Sequence, residues 1–192
     1  MVVAYAAGMS STPAAPDPAE VVRPLLRVRQ VRDFTDEPIA EPVIDAIADA
    51  ARWSGSSRNA QPWRFVVVRD PTTIRAMADA GMPQTRALAT ATAAIAIVMP
   101  EAPGAGIANA YDEGRAAERI LVSASLLDLG AAIAWVRGDV RTAIGAQLGV
   151  PDGWFVRTVV ALGHPTEQAR RPKSAPGAAR LPRDETVRSG QW

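Results

Sequence analysis

One domain in which helices and short strands intermingle around a single sheet is the fold that this sequence predicts, on three observations. Amphipathic helical spacings alternate with short apolar runs, caps and prolines mark their boundaries, and no segment repeats. At 192 residues, 48% of them hydrophobic, the chain can hold one proper core and is too short for two comfortable ones.

Residues 1–16 are rich in Ala, Ser and Pro, a composition that cannot bury enough surface to order itself, and a disordered extension is expected there; Met9 is a second candidate start. The folded domain is expected over 17–166, followed by a tail over 167–192. Asp17-Pro18-Ala19-Glu20 opens a helix, with Asp17 as cap, Pro18 at the first helical position and Glu20 three residues after the cap. Pro24 either kinks that helix or marks a second start near Arg23. From Pro42 to Trp53, Val43, Ile44, Ile47, Ala48 and Ala51 recur at helical spacing, with Asp45, Asp49 and Arg52 on other faces. Phe65 to Val68 predicts a strand buried on both faces. Asp70-Pro71 caps a helix running to about Gly81, and Pro83 restarts another that ends near Ala91. Ala94 to Met99 predicts the next strand. A loop from Pro100 to Gly106 leads into the longest helix, Tyr111 to Leu129, stopped by Gly130. Ile133 to Val136 predicts a short strand, Val140 to Leu148 a helix, and Arg157 to Leu162 the last central strand. The tail carries three prolines and six arginine or lysine residues without periodicity.

Composition narrows the chemistry. Lys and Arg number 21 against 20 Asp and Glu, so no basic excess argues for nucleic acid or an anionic membrane as partner. With no cysteine, disulfides, thiolate nucleophiles and iron-sulfur ligation are excluded, which fits a reducing cytoplasm. The one histidine, His164, rules out a multi-histidine metal site; in Gly163-His164-Pro165 it is expected at the surface, ending a strand. The apolar opening from Val2 to Gly8 is too short for a signal-peptide core, and no transmembrane segment is expected. A cytoplasmic location follows as an expectation.

The densest polar stretch is Ser54-Gly55-Ser56-Ser57-Arg58-Asn59-Ala60-Gln61-Pro62-Trp63-Arg64-Phe65. It turns the chain from helix to strand, and its hydroxyls, amides and free N–H groups serve either as ordinary turn chemistry or as a face for a planar polar ligand. A second block is Arg27-Val28-Arg29-Gln30-Val31-Arg32-Asp33-Phe34. In an extended chain Arg27 and Arg29 point the same way and could grip one phosphate, with Arg32 pointing elsewhere; a solvated charged loop is the alternative. Gly104-Ala105-Gly106-Ile107-Ala108-Asn109 partly copies the dinucleotide fingerprint, but Asn109 stands at the third glycine and four residues separate strand from first glycine. A lid is the better reading of that loop.

The first stretch resembles the "PSSxNxQPWRF" segment of the nitroreductase family: Ser56, Ser57, Asn59, Gln61, Pro62, Trp63 and Phe65 match, and Gly55 replaces a proline. The second resembles that family's "RRSxRxF" motif, with Arg29 on its second arginine, Arg32 on the cation two before the aromatic, and departures at Val28 and Gln30. The resemblance implies an α+β fold, a mixed central sheet wrapped by helices, in an intertwined homodimer whose C-terminal tail packs on the partner subunit. It implies FMN in the dimer interface, held by Arg29, Gln30, Arg32, Ser56, Ser57, Asn59, Gln84, Arg137, Gly138 and Arg180. Arg32 would counter the charge that reduction leaves near flavin N1 and O2, and the backbone of Arg137-Gly138 would approach N5. Arg180 would return to the phosphate, although Ala178 replaces a further cation. NAD(P)H would supply hydride through flavin N5 to a small acceptor such as a nitroaromatic or quinone, in alternating half-reactions. No protein acid or base is demanded, because the flavin carries the chemistry. Alternatives on the same fold are another flavin reaction (dehalogenation, flavin-ring cleavage), a deazaflavin in place of FMN, or a flavin-sequestering protein without turnover. The helix containing Asp112-Glu113-Gly114-Arg115 is expected mostly to pack.

Overall fold

The structure, a computed structural model, describes residues 15–171, 174, 175, 178 and 180–192. The extension expected over 1–16, Met9 included, lies outside the described residues except for its last two. The elements run α1 (Pro18–Leu26), α2 (Glu41–Arg52), β1 (Arg64–Val68), α3 (Pro71–Ala80), β2 (Ala93–Pro100), α4 (Gly106–Leu126), β3 (Gly130–Trp135), α5 (Arg141–Gln147), β4 (Trp154–Gly163), α6 (Glu167–Arg170) and α7 (Arg183–Thr186).

The caps act as their chemistry requires. Asp17 accepts from the Ala19 N–H at 3.0 Å, and α1 then runs through Pro24 without a second start. Asp70 accepts from the Thr73 N–H and hydroxyl at 2.8 and 2.6 Å. Those two bonds, the side-chain one first, hold its carboxyl below the ordinary value of 3.8. Thr166 caps α6 through the Ala169 N–H at 3.1 Å.

The sheet has the order β1-β2-β4-β3, antiparallel throughout. Its parallel component is an isolated bridge from Gln30 to Ala131, where the segment before α2 runs along the free edge of β3. Two helical layers cover the faces. In β2, Ala94, Ala96 and Val98 face a core with Ile74 and Met77 of α3 and Ile144 of α5, while Ile95, Ile97 and Met99 face Ile44 and Ile47 of α2 and Ile120 and Leu121 of α4. A strand buried on both sides can therefore read as an unbroken apolar run.

That logic fails for β1. It was expected to be buried on both faces, yet it is the edge strand and only Val68 is fully buried. Apolarity alone does not reveal which strand ends a sheet. The helix expected from Pro83 is instead a turn followed by a 3-10 segment, Arg86–Ala89, held where the buried Thr85 hydroxyl donates to the Ala78 carbonyl at 2.6 Å. α4 begins at Gly106, five residues before Tyr111, once Gly104 (φ 84°) has made the turn, and Asp128 (φ 57°) ends its last turn. β3 and β4 both begin earlier than expected. Alanine has little strand propensity, so pairing of Ala131 and Ala132 with Leu162 and Ala161 decides β3, and Trp154 and Phe155 extend β4 by pairing with Pro100 and Met99. Gly130 is required where it sits, because a Cβ there would lie 2.7 Å from Val31 and 2.9 Å from Phe34.

Several apolar side chains find no cover among the described residues. Val21, Val22, Leu25 and Leu26 of α1, Trp53, Trp135 and the tail residue Leu181 are all exposed.

Candidate flavin-family site

After α2 the chain enters a 3-10 turn at Ser57–Asn59 in which Arg58, Asn59 and Gln61 take left-handed φ values of 52°, 55° and 47°. Non-glycine residues held there cost on the order of 1–3 kcal/mol each, so the surroundings must impose the shape. They do so twice. Ser56 Oγ accepts from the Gln61 N–H at 2.9 Å, and the Ser57 N–H donates to both carboxylate oxygens of Asp112 on α4 at 3.2 and 3.0 Å. Asp112 is 4% exposed. The side chains of Ser57 and Asn59 face solvent on this rigid turn, the Asn59 carbonyl group accepting from Gln61 Nε2 at 3.3 Å. Trp63 then closes the turn by burying itself against the α2/α4 layer.

At the other edge of the sheet, Gln30 Oε1 accepts from the Ile133 N–H at 2.8 Å and so caps the open side of β3. Arg29 Nη2 donates to the carbonyls of Ala169 and of Arg170, the latter at 2.9 Å. Arg27 and Arg29 line one cavity of about 180 Å³ with Ser125, Asp128 and Arg170, although Arg27 ends α1 in helical conformation rather than in the extended chain expected of it. Arg32 is half-buried and, among the described residues, has neither a hydrogen bond nor an ion pair.

Beyond β3, Arg137 is held by Asp139 through a forked pair at 3.1 and 2.8 Å, and Gly138 starts a 3-10 turn, Gly138–Val140. Among the described residues nothing lies within 4 Å of where a Gly138 Cβ would sit, which leaves that side of the residue open to close approach. Gly138 also lines a cleft of about 730 Å³ with Arg141, Trp154 and Phe155. Among the described residues no His, Asp and Glu cluster could hold a metal, and no helix is long and apolar enough to cross a membrane.

Residues 26–99 match the sequence profile of the nitroreductase family. A protein of Archaeoglobus fulgidus named as an NADH dehydrogenase/NAD(P)H nitroreductase is 30% identical over 153 residues, covering 78% of this chain and 87% of that protein. The chain belongs to the nitroreductase family. A Thermus thermophilus NADH dehydrogenase is 27% identical over 82% of this chain and 80% of its own length. The fold agrees with that of an FMN-dependent nitroreductase from Clostridium difficile at a TM-score of 0.76 and 22% identity, covering 88% of this chain and 98% of that one.

Within this nitroreductase-family chain the expected site residues fall into separate groups. Gln30, Arg32, Arg137 and Gly138 lie along or beyond β3, whereas Ser56, Ser57 and Asn59 precede β1 at the opposite edge. Three strand spacings, about 14 Å, separate those edges. Gln84 is exposed in the turn between α3 and the Arg86–Ala89 segment, and Arg180 is exposed in the tail. His164 follows the last residue of β4, half-buried, with its carbonyl accepting from the Thr35 N–H at 2.8 Å. Sequence reasoning missed the function of Asp112 in fixing the turn. It also missed the ion pair between Glu113, 2% exposed, and Arg157 of β4. Two adjacent carboxylates in helical register with the apolar positions Ala116, Ala117, Ile120, Leu121 and Ala124 were the available signal.

Proposed function

We propose that this protein is an FMN-dependent, NAD(P)H-linked oxidoreductase that reduces a small acceptor such as a nitroaromatic or quinone. The observation that carries the reading is the left-handed turn pinned to buried Asp112, which holds Ser57 and Asn59 toward solvent at a strain that a connector would not need.

The donor set fits a flavin. Arg32 offers a half-buried guanidinium with no partner among the described residues, suited to a ring edge that gains negative charge on reduction. The Gly138 backbone is open to approach, and Ser57 and Asn59 offer a hydroxyl and an amide to the ring's polar edge. At the phosphate end Arg29 keeps further N–H donors beyond the Nη2 group used for Ala169 and Arg170, and Arg180 completes the proposed cation set. FMN, when bound, supplies the hydride-accepting N5 and passes the electron pair on. The protein binds and orients it and supplies charge at Arg32. The placement of the two residue groups at opposite sheet edges supports a site shared between two copies of the chain, the exposed apolar face of α1 supports a homodimer, and the tail is proposed to pack on the partner.

A rival reading, flavin binding without turnover, draws on Gln30 and Arg29 being engaged by their own chain and on the missing cations at Val28 and Ala178. Steady-state kinetics separate the two. One pocket serving reductant and acceptor in turn gives parallel double-reciprocal lines at varied acceptor. Intersecting lines would refute the shared pocket, and negligible NAD(P)H oxidation with every quinone and nitroaromatic tried would favour sequestration. A colourless monomer that takes up no added FMN would dispose of both.

A further inference from the structure

Strand β4 carries one residue too many. Opposite β2, Thr158 pairs with Ile97 and Val156 with Val98, so Arg157 between them has no partner and forms a β-bulge. The bulge turns the Arg157 side chain to α4, where Nε donates to Glu113 Oε2 at 2.9 Å and Nη2 donates to the same oxygen. Phe155 lies beneath that guanidinium at 5.7 Å from its ring centre. On the opposite side of the bulged residue, the Arg157 carbonyl accepts from the Val136 N–H at 2.7 Å. Val136 is the first residue past the end of β3, so this bond continues the β3/β4 pairing into the stretch that leads to Arg137 and Gly138.

We propose that Glu113 and Arg157 are positioning residues: their buried ion pair holds the bulge, and the bulge aims the Arg157 carbonyl that fixes Val136 and, through it, Arg137-Gly138. The coupling is physical. A carboxylate 2% exposed, with its Oε1 already without a partner among the described residues, does not tolerate losing the guanidinium as well, so the pair is satisfied only while the bulge is in place. Two apolar side chains would fill the same space at least as stably. What the ion pair adds is therefore a defined place for residues 136–138. The consequence for the flavin rests on the FMN reading above, in which that stretch approaches N5; the hold on the backbone does not.

The test compares wild type with Glu113→Gln and with the double variant Glu113→Leu/Arg157→Leu, which leaves no buried charge unpaired and folds even where the single variant does not. Exchange of the Val136 amide hydrogen is measured without cofactor, and the affinities for oxidised and reduced FMN are measured on the loaded protein. The expected result is exchange of the Val136 amide at least about tenfold faster. Exchange in β2 should stay at its wild-type rate, and the ratio of reduced to oxidised FMN affinity should change at least about threefold. Glu118→Gln, exposed on the same helix, should alter neither quantity. Wild-type exchange at the Val136 amide in the double variant overturns the proposal; faster exchange there with an unchanged affinity ratio supports the hold on the backbone and overturns its consequence for the flavin. If the wild-type chain takes up no FMN, the functional reading fails separately, and exchange in the cofactor-free protein still decides whether the pair holds Val136.

Discussion

The backbone N–H of Ser57 donates to both carboxylate oxygens of Asp112 across 55 residues of sequence, at 3.2 and 3.0 Å. Together with the bond from the Gln61 N–H to Ser56 Oγ, it makes a run of ordinary turn residues rigid. Removing it with Asp112→Ala should destabilise the fold by about 1.5–3 kcal/mol, the range for a hydrogen bond to a charged group. Asp112→Asn, which keeps one acceptor oxygen, should lose less. Urea unfolding of the two variants measures the difference, and FMN titration should show weaker binding in the same order. Equal stability of Asp112→Ala and wild type would mean that the turn holds itself.

Arg32 and Arg29 should separate by role. Arg32 has no partner among the described residues, so Arg32→Ala should leave stability nearly unchanged. It should lower the two-electron potential of bound FMN by on the order of 30–60 mV, which corresponds to about 1.4–2.8 kcal/mol of lost counter-charge. Redox titration at saturating FMN decides; an unchanged potential removes Arg32 from the ring.

Arg29 already holds the carbonyls at the end of α6, so Arg29→Ala should loosen the tail as well as the phosphate site. Limited proteolysis should cut beyond Arg170 faster, and FMN affinity should fall by about 1.5–3 kcal/mol if the remaining N–H donors reach the phosphate. A loosened tail with unchanged FMN affinity would confine Arg29 to a structural role.

Asp70 gives a pH dependence of known sign. Its folded carboxyl titrates below the ordinary 3.8, so its cap stabilises fully above that value and loses its contribution as pH falls through the lower folded value. Asn caps nearly as well without titrating. The stability gap between wild type and Asp70→Asn should therefore shrink as pH falls below 3.8 and be constant above about pH 5. A gap that widens on acidification would contradict the capping geometry.

Local chemistry was legible in the sequence because its causes are local. Asp17, Asp70 and their following prolines start helices through bonds that span two or three residues, and alternation of β2 between two cores leaves an unbroken apolar run. The polar turn and the Arg27 to Phe34 block were visible as candidate ligand-binding segments, and with them the family. Tertiary structure alone decided what those segments are tied to. Gln30 reaches Ile133 across 103 residues and Arg157 reaches Glu113 across 44, and no spacing rule links positions so far apart. The sequence by itself determined where most helices and strands fall, through caps, prolines and apolar runs; packing decided that the residues after Pro83 form a turn and a 3-10 segment, that β3 and β4 begin early, that β1 is an edge, that Arg157 bulges and that Asp112 grips Ser57. The reason is that a backbone N–H or a buried charge takes whichever partner the fold brings within 3 Å, and only the assembled sheet and helices establish which one that is.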